Sequence, residues 1–299
     1  MSDQKVLVTG ATGFIGKYVV EEFCRRGNVV LGTTSHLSKQ TKNTVHFPLE
    51  DKEKLNSIIL EFQPNIVVHL AAITSVTHNN ANEIYSVNVL GTENLLQAIA
   101  KTCPQNTNVI LTSSAGIYGD QSSEYLSEDL SYNPRNHYSY SKVVMELMSR
   151  QFQDDMKLKI VRPFNIIGPG QSEHFFVPKI VKHFANRAPR IELGNLNSIR
   201  DYVNVKTCAE IIAAVAQPTC VLDGPLNICS GKGYTGHELL ELLSELSNHK
   251  PKIEIDPQLV RKNEIWRAVG STQRLNTIIG KPIATPDLKS ILLDMYNTY

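Results

Sequence analysis

The chain has 299 residues, 41% of them hydrophobic and 20% charged, with a formal net charge of +1 at pH 7. That composition describes a folded globular protein of one large domain or two closely joined ones, and it excludes a disordered or low-complexity chain. So balanced a charge offers no overall field for nucleic acid or a membrane surface, so any anion site is local, and no apolar run approaches the ~18 residues of a transmembrane helix.

In chain order, Val6–Val8 reads as a buried parallel strand and the apolar positions from Phe14 onward recur at helical spacing, so a helix is expected over Gly16–Arg26. Between them lies "TGATGFIG", in which Gly10, Gly13 and Gly16 sit three apart at a strand-to-helix turn. Glycine there permits positive φ and close backbone approach, and the first N–H groups of the following helix have no internal partners, so anions bind. The spacing is GxxGxxG, a variant of the GxGxxG dinucleotide fingerprint. The candidate cofactor contacts at this turn are Gly10, Thr12, Gly13, Phe14, Ile15 and Gly16.

The strand Val29–Leu31 comes next, and the segment from Phe23 to Leu49 contains no Asp or Glu. In dinucleotide folds a carboxylate near this point accepts from the ribose hydroxyls. Its absence, with Thr33, Thr34, Ser35, His36 and Lys39 following the strand, favours a 2′-phosphate and hence NADPH over NADH. The plainer alternative is a solvated loop with the ribose held by backbone groups. Helices over Glu53–Phe62 and Glu83–Ala100 alternate with strands at Ile66–Leu70 and Val109–Thr112, which implies βαβ units, a parallel sheet and ligands beyond the strands' carboxyl ends.

The next helix, Tyr138–Phe152, opens with "YSYSK", so Tyr138 and Lys142 project from one face. A neighbouring ammonium favours phenolate and lowers a tyrosine's pKa, which makes a proton donor and acceptor. A second YxxxK, Tyr202 and Lys206, lacks what the first has, a preceding strand ending in "TSSAGIYG" whose Ser114 hydroxyl can bond a substrate oxygen. After Lys159–Val161 the pattern loosens into the loop "RPFNIIGPGQSEHFF", with helices near Pro178–Asn186, Lys206–Ala216 and His237–Ser247. The expected fold class is therefore α/β, a Rossmann-type doubly wound parallel sheet over 1–163 with a smaller C-terminal α/β substrate-binding domain over 164–299, some segments returning to the main sheet. Five scattered cysteines form no CxxC pair, and the first strand leaves no room after Met1 for a signal peptide, so a reduced cytoplasmic protein is expected. No metal site is expected.

"TGATGFIG", "HLAA", "TSSAGIYG" and "YSYSK" together resemble the extended short-chain dehydrogenase/reductase superfamily that acts on nucleotide sugars. "PRNHYSYSK", "RPFNIIGPGQ", "LGNLNSIRDYVNV", "LNICSGKG" and "RKNEIWRAVGSTQRL" are similar to its GDP-4-keto-6-deoxy-mannose reductase branch over essentially the whole chain. The resemblance implies that Ser114, Tyr138 and Lys142 act at the sugar C4, with Leu49, Leu70, Ala71, Ala72 and Pro163 joining Tyr138 and Lys142 as further cofactor contacts. It also implies a nucleotide-sugar pocket from Thr74, Ser75, Ser114, Asn165, Gln171, Val177, Lys179, Gly194, Arg200, Arg261 and Glu264. Arg presents a planar fork suited to phosphate, although a surface ion pair such as Arg200 with Asp201 is the plainer alternative, as a core role is for Phe176. Pro48 stands where the family has an acidic residue before Leu49.

Related dehydratases carry acidic residues where this chain has Ala115 and Gly116, and epimerising GDP-fucose synthases carry Cys and His where it has Gly116 and Gly170. Hydride transfer remains, with Glu173 and His174 close by in sequence as alternative proton shuttles: NADPH-dependent reduction of GDP-4-keto-6-deoxy-mannose to GDP-rhamnose, with the talose epimer, a 6-deoxy-heptose analogue or a thymidine-linked sugar as variants. An NAD-retaining 4-epimerase and a silent dinucleotide-sensing scaffold are the competing readings. A homodimer is expected through the helices over Glu83–Ala100 and Tyr138–Phe152.

Overall fold

The computed structural model describes residues 4–74, 80–103, 107–260, 264–280 and 286–299. Strand β1 (Lys5–Thr9), helix α1 (Phe14–Arg25), strands β2 (Val29–Thr34) and β3 (Thr44–His46), helix α2 (Lys52–Phe62) and strand β4 (Ile66–His69) build the first half of a parallel sheet. Helices α3 (Ala81–Tyr85) and α4 (Gly91–Thr102), strand β5 (Asn108–Thr112), helix α5 (His137–Ser149) and strand β6 (Lys157–Pro163) continue it. The short strand β7 (Asn165–Ile167), α6 (Phe176–Ala185), β8 (Arg190–Leu193), β9 (Ile199–Asn204), α7 (Val205–Val215) and β10 (Leu226–Ile228) follow. The chain closes with β11 (Gly233–Tyr234), α8 (Gly236–Ser247), β12 (Lys252–Ile255), β13 (Arg267–Ala268), α9 (Gln273–Ile279) and α10 (Leu288–Tyr296).

Seven parallel strands run in the order β10-β6-β5-β4-β1-β2-β3, a doubly wound Rossmann-type sheet. Central strands such as β4, Ile-Val-Val-His, are buried throughout because helices cover both faces. One face packs Val19 and Phe23 of α1 with Ile211, Ile212 and Val215 of α7, and the other packs Ile59 of α2 with Leu95 and Ile99 of α4 and Met145 of α5. Strand β10 and helix α7, although late in the chain, thus complete the first layer system. A separate core of Ile180 and Phe184 from α6, Leu239 and Leu243 from α8, and Ile291 and Leu292 from α10 stands in the C-terminal half. Among the described residues no helix is long and apolar enough to cross a membrane.

Two expectations change. The single helix over Glu83–Ala100 is divided, because Ser86–Leu90 takes a π turn between α3 and α4, which leaves the apolar spacing nearly intact while shifting Asn88 inward. The loop after β6 includes β7, which pairs in parallel with β9, Asn165 opposite Tyr202. Tyr202 is thereby on a strand while Lys206 is on α7, so the second YxxxK shares no helical face.

Candidate active site

The glycine turn follows β1 at the carboxyl end of the sheet. Gly10 has φ +68°, and a Cβ there would lie 2.9 Å from the Ala71 nitrogen. A Cβ on Gly16 would overlap the Gly10 carbonyl oxygen, so strand, turn and helix close only without side chains. Gly13 caps α1 with no side-chain hydrogen bond and no acid in the first turn, which leaves its opening N–H groups for an anion. This cradle fits a dinucleotide pyrophosphate. Thr12 donates to the Thr34 hydroxyl at 3.1 Å, and Thr34 in turn accepts from the His36 N–H at 3.2 Å. Buried Thr34 therefore shapes the loop, while Ser35, His36 and Lys39 stand exposed and Phe14 and Ile15 half-buried. Leu49 and Pro163 are buried, and Leu70, Ala71 and Ala72 line the end of β4, half-buried.

Ser114 caps the short turn Ala115–Tyr118 just after β5, its hydroxyl accepting from the Gly116 N–H at 3.0 Å. Tyr138 enters on the first turn of α5, whose start is set by Asn136 accepting from the Ser139 N–H at 2.9 Å. Tyr138 and Ser114 share a side-chain hydrogen bond. Lys142 is 3% exposed, one turn further, with its ammonium 6.0 Å from the Tyr138 ring centre and donating to the Thr112 carbonyl at 2.7 Å. Burial depresses Lys142 to about 8, against the opposing influence of Glu146. Burial raises Tyr138 above its ordinary value although Ser114 acts the other way, so the expectation of a lysine-lowered phenol changes: desolvation dominates, and Tyr138 is a protonated donor at neutral pH.

Three features escaped sequence reasoning. His69, the His of "HLAA", is buried and depressed to about 3 by desolvation, then by Lys142. Because Thr92 donates to the Asn88 carbonyl at 2.8 Å, the His69 Nε2–H donates to Thr92 Oγ1 at 2.9 Å and Nδ1 accepts from Thr9 at 2.7 Å. Asn88, brought inward by the π turn, bonds both backbone groups of Ile73 and the Ser141 hydroxyl, and Ser141 bonds the Tyr138 carbonyl, so the end of β4 is tied to α5. Beneath Lys142, Glu146 is gripped by both arms of Arg162 at 3.0 and 2.7 Å, and Arg162 also donates to Tyr118, which reaches Asn227 on β10. Only the helical i, i+4 spacing of Lys142 and Glu146 hinted at this network.

The expected substrate residues divide. Arg200 pairs with Glu264 at 2.6 Å, whereas Asp201 is fully buried and accepts from Ser230, Gly231 and Gly270, so the Arg200–Asp201 pair does not form. Gly194 and Glu264 line a cleft of about 550 Å³. Asn165 is exposed and donates to the Asp201 carbonyl, Lys179 donates to the Glu192 carbonyl, and Gln171 donates to the Ile166 carbonyl. Val177 is buried in the C-terminal core, with Phe176 packed against it, and Thr74 is exposed. Ser75 and Arg261 lie outside the described residues. A Cβ on Gly116 would lie 2.7 Å from Ser139 Oγ, and Gly170 has φ +80°, so neither position accepts a larger catalytic side chain without adjustment.

A family model described as "NAD dependent epimerase/dehydratase family" matches residues 6–229. A GDP-6-deoxy-D-talose 4-dehydrogenase of Aggregatibacter actinomycetemcomitans is 37% identical, over 98% of this chain and 97% of its own. A GDP-6-deoxy-D-mannose reductase of Pseudomonas aeruginosa is 30% identical over 97% of each. Among solved structures, RMD from Pseudomonas aeruginosa complexed with NADPH superposes with TM-score 0.81 at 27% identity, covering 98% of both chains. The UDP-glucose 4-epimerase of Thermus thermophilus in complex with NAD superposes with TM-score 0.85 at 26% identity, also covering 98% of both. The chain belongs to the NAD dependent epimerase/dehydratase family and is a nucleotide-sugar-modifying enzyme of it.

Proposed function

We propose that this enzyme reduces the C4 ketone of GDP-4-keto-6-deoxy-D-mannose with NADPH. The observation that carries the reading is Tyr138, bonded to Ser114 beside Lys142, with no second acid or base at Ala115 or Gly116. NADPH, when bound, supplies the hydride to C4. Ser114 orients the ketone oxygen and Tyr138 delivers its proton to that oxygen. Lys142 holds positive charge beside the phenolate that forms, and its bond to the Thr112 carbonyl fixes it there. Exposed Ser35, His36 and Lys39 take the 2′-phosphate, consistent with the NADPH in the Pseudomonas structure. The GDP moiety follows the two relatives similar along their whole length, and the talose-acting one draws the C4 product toward GDP-6-deoxy-D-talose rather than GDP-rhamnose.

Residues 1–163 would hold the dinucleotide and 164–299 the nucleotide sugar. Exposed Tyr140, Val144 and Leu147 recur on one face of α5 near exposed Leu90, which supports a homodimer through α5 and the α3–α4 segment. The likeness to a 4-epimerase favours a second reading, retained NAD with reversible transfer. Purified protein given NADPH or NADH with the guanosine or thymidine 4-keto sugar separates these. Faster oxidation of NADPH with the guanosine sugar is expected, while tightly retained NAD and no net oxidation would select the epimerase.

A further inference from the structure

Trp266 is the one tryptophan of the chain and is 57% exposed. An indole offers a large apolar surface that folding ordinarily covers. Here its backbone is pinned on both sides, the N–H donating to Asp120 at 3.2 Å and the carbonyl accepting from the Ile199 N–H at 2.8 Å. The backbone that presents the indole is therefore fixed. The indole lines the 550 Å³ cleft together with Asp120, Arg135, Gly194, His237 and Glu264, a volume within the range of small-ligand sites. Tyr138 and Ser114 do not line it, whereas Asp120 and Arg135 belong to the segment running from Ser114 to Tyr138. Two of its lining residues thus sit a few positions along the chain from the candidate catalytic groups, Arg135 three before Tyr138 and Asp120 six after Ser114, and its walls carry carboxylate, amide and imidazole groups.

We propose that Trp266 is a substrate-specificity residue that stacks on the base of the nucleoside diphosphate. The inference rests on the reading of a nucleotide-sugar substrate and deepens it: the reacting sugar occupies the region of Tyr138, and the cleft takes the distal nucleoside. A base presents a flat π face to the indole, and Glu264, whose Oε1 accepts from Arg200, offers its Oε2 to a ribose hydroxyl. Stacking of a base on an aromatic side chain accounts for about a 5- to 150-fold change in affinity on truncation to alanine.

The sole tryptophan makes the test direct. Trp266 emission is followed while GDP, or mannose 1-phosphate as a probe carrying no base, is added to the full-length protein. The proposal expects saturable quenching by GDP and none by the sugar phosphate. Trp266→Ala is expected to raise KM for the GDP-sugar about 5- to 150-fold with little change in kcat, and Trp266→Phe to recover most of it. Emission indifferent to GDP, with KM unaltered in Trp266→Ala, overturns the proposal, as does quenching by mannose 1-phosphate alone. Quenching by GDP in a protein that fails to oxidise NADPH with either keto sugar sustains the Trp266 assignment and refutes the reductase reading.

Discussion

Replacing Lys142 by methionine should abolish activity and yet stabilise the protein. The ammonium is 3% exposed and its pKa falls from 10.5 to about 8 on folding. Each unit is worth ~1.4 kcal/mol, so holding the charged form in the folded state at pH 7 costs about 3 kcal/mol. Methionine removes that cost but leaves the Thr112 carbonyl without its 2.7 Å donor, which returns roughly 1–2 kcal/mol. The net gain of about 1–2 kcal/mol corresponds to a Tm higher by roughly 2–3 °C for a chain of this size. The pH dependence carries the sign. Below pH 8 Lys142 is protonated in both states and the full cost applies. Between 8 and 10.5 the unfolded chain binds the proton that the folded chain has lost, so the wild type gains stability as pH rises and the advantage of Lys142→Met closes and then reverses, leaving only the lost hydrogen bond. Thermal melts of both proteins without cofactor, at pH 7 and pH 10, measure this. A variant less stable at pH 7, or a difference indifferent to pH over that interval, would refute the account of Lys142 as a buried charge kept at the expense of stability.

Three further outcomes follow from the geometry. Gly16→Ala forces a methyl onto the Gly10 carbonyl, so NADPH affinity measured by fluorescence titration should fall about tenfold or more; unchanged affinity would mean that the turn does not form the cradle. His69 should remain the neutral Nε2–H tautomer down to about pH 4 in nitrogen-detected NMR, and because the unfolded imidazole protonates first, stability should fall as pH drops from 6.5 toward 3. An imidazolium signal assigned to His69 in the folded protein at pH 6 would contradict the buried network. Tyr140→Asp with Leu147→Asp should shift sedimentation from dimer to monomer, and a wild-type monomer would remove the dimer proposal.

The parts of this molecule legible in its sequence are those where one short stretch carries a strong local constraint. "TGATGFIG" declares a strand, a turn and a helix start through glycines whose missing Cβ atoms the structure requires at Gly10 and Gly16. Tyr138 and Lys142 are legible because helical spacing alone brings them to one face. Partnerships across sequence distance are not: Arg200 reaches Glu264, 64 residues on, while its neighbour Asp201 turns inward to backbone N–H groups. The Arg162–Glu146 pair and the inward turn of Asn88 likewise depend on how α5 settles on the sheet and on a π turn that apolar periodicity hardly registers. The tyrosine's pKa went the other way from a pairwise argument, since burial is a property of the whole site.

The most direct test of the central claim is a single turnover with NADPH deuterated at the transferring position and GDP-4-keto-6-deoxy-D-mannose, with the sugar product read by proton and deuterium NMR and the experiment repeated on Tyr138→Phe. The account predicts one deuterium at C4 of a GDP-6-deoxy-D-talose product, with the rate lowered about 100- to 10,000-fold in the variant. A product without deuterium at C4, or a variant as fast as the wild type, would contradict it.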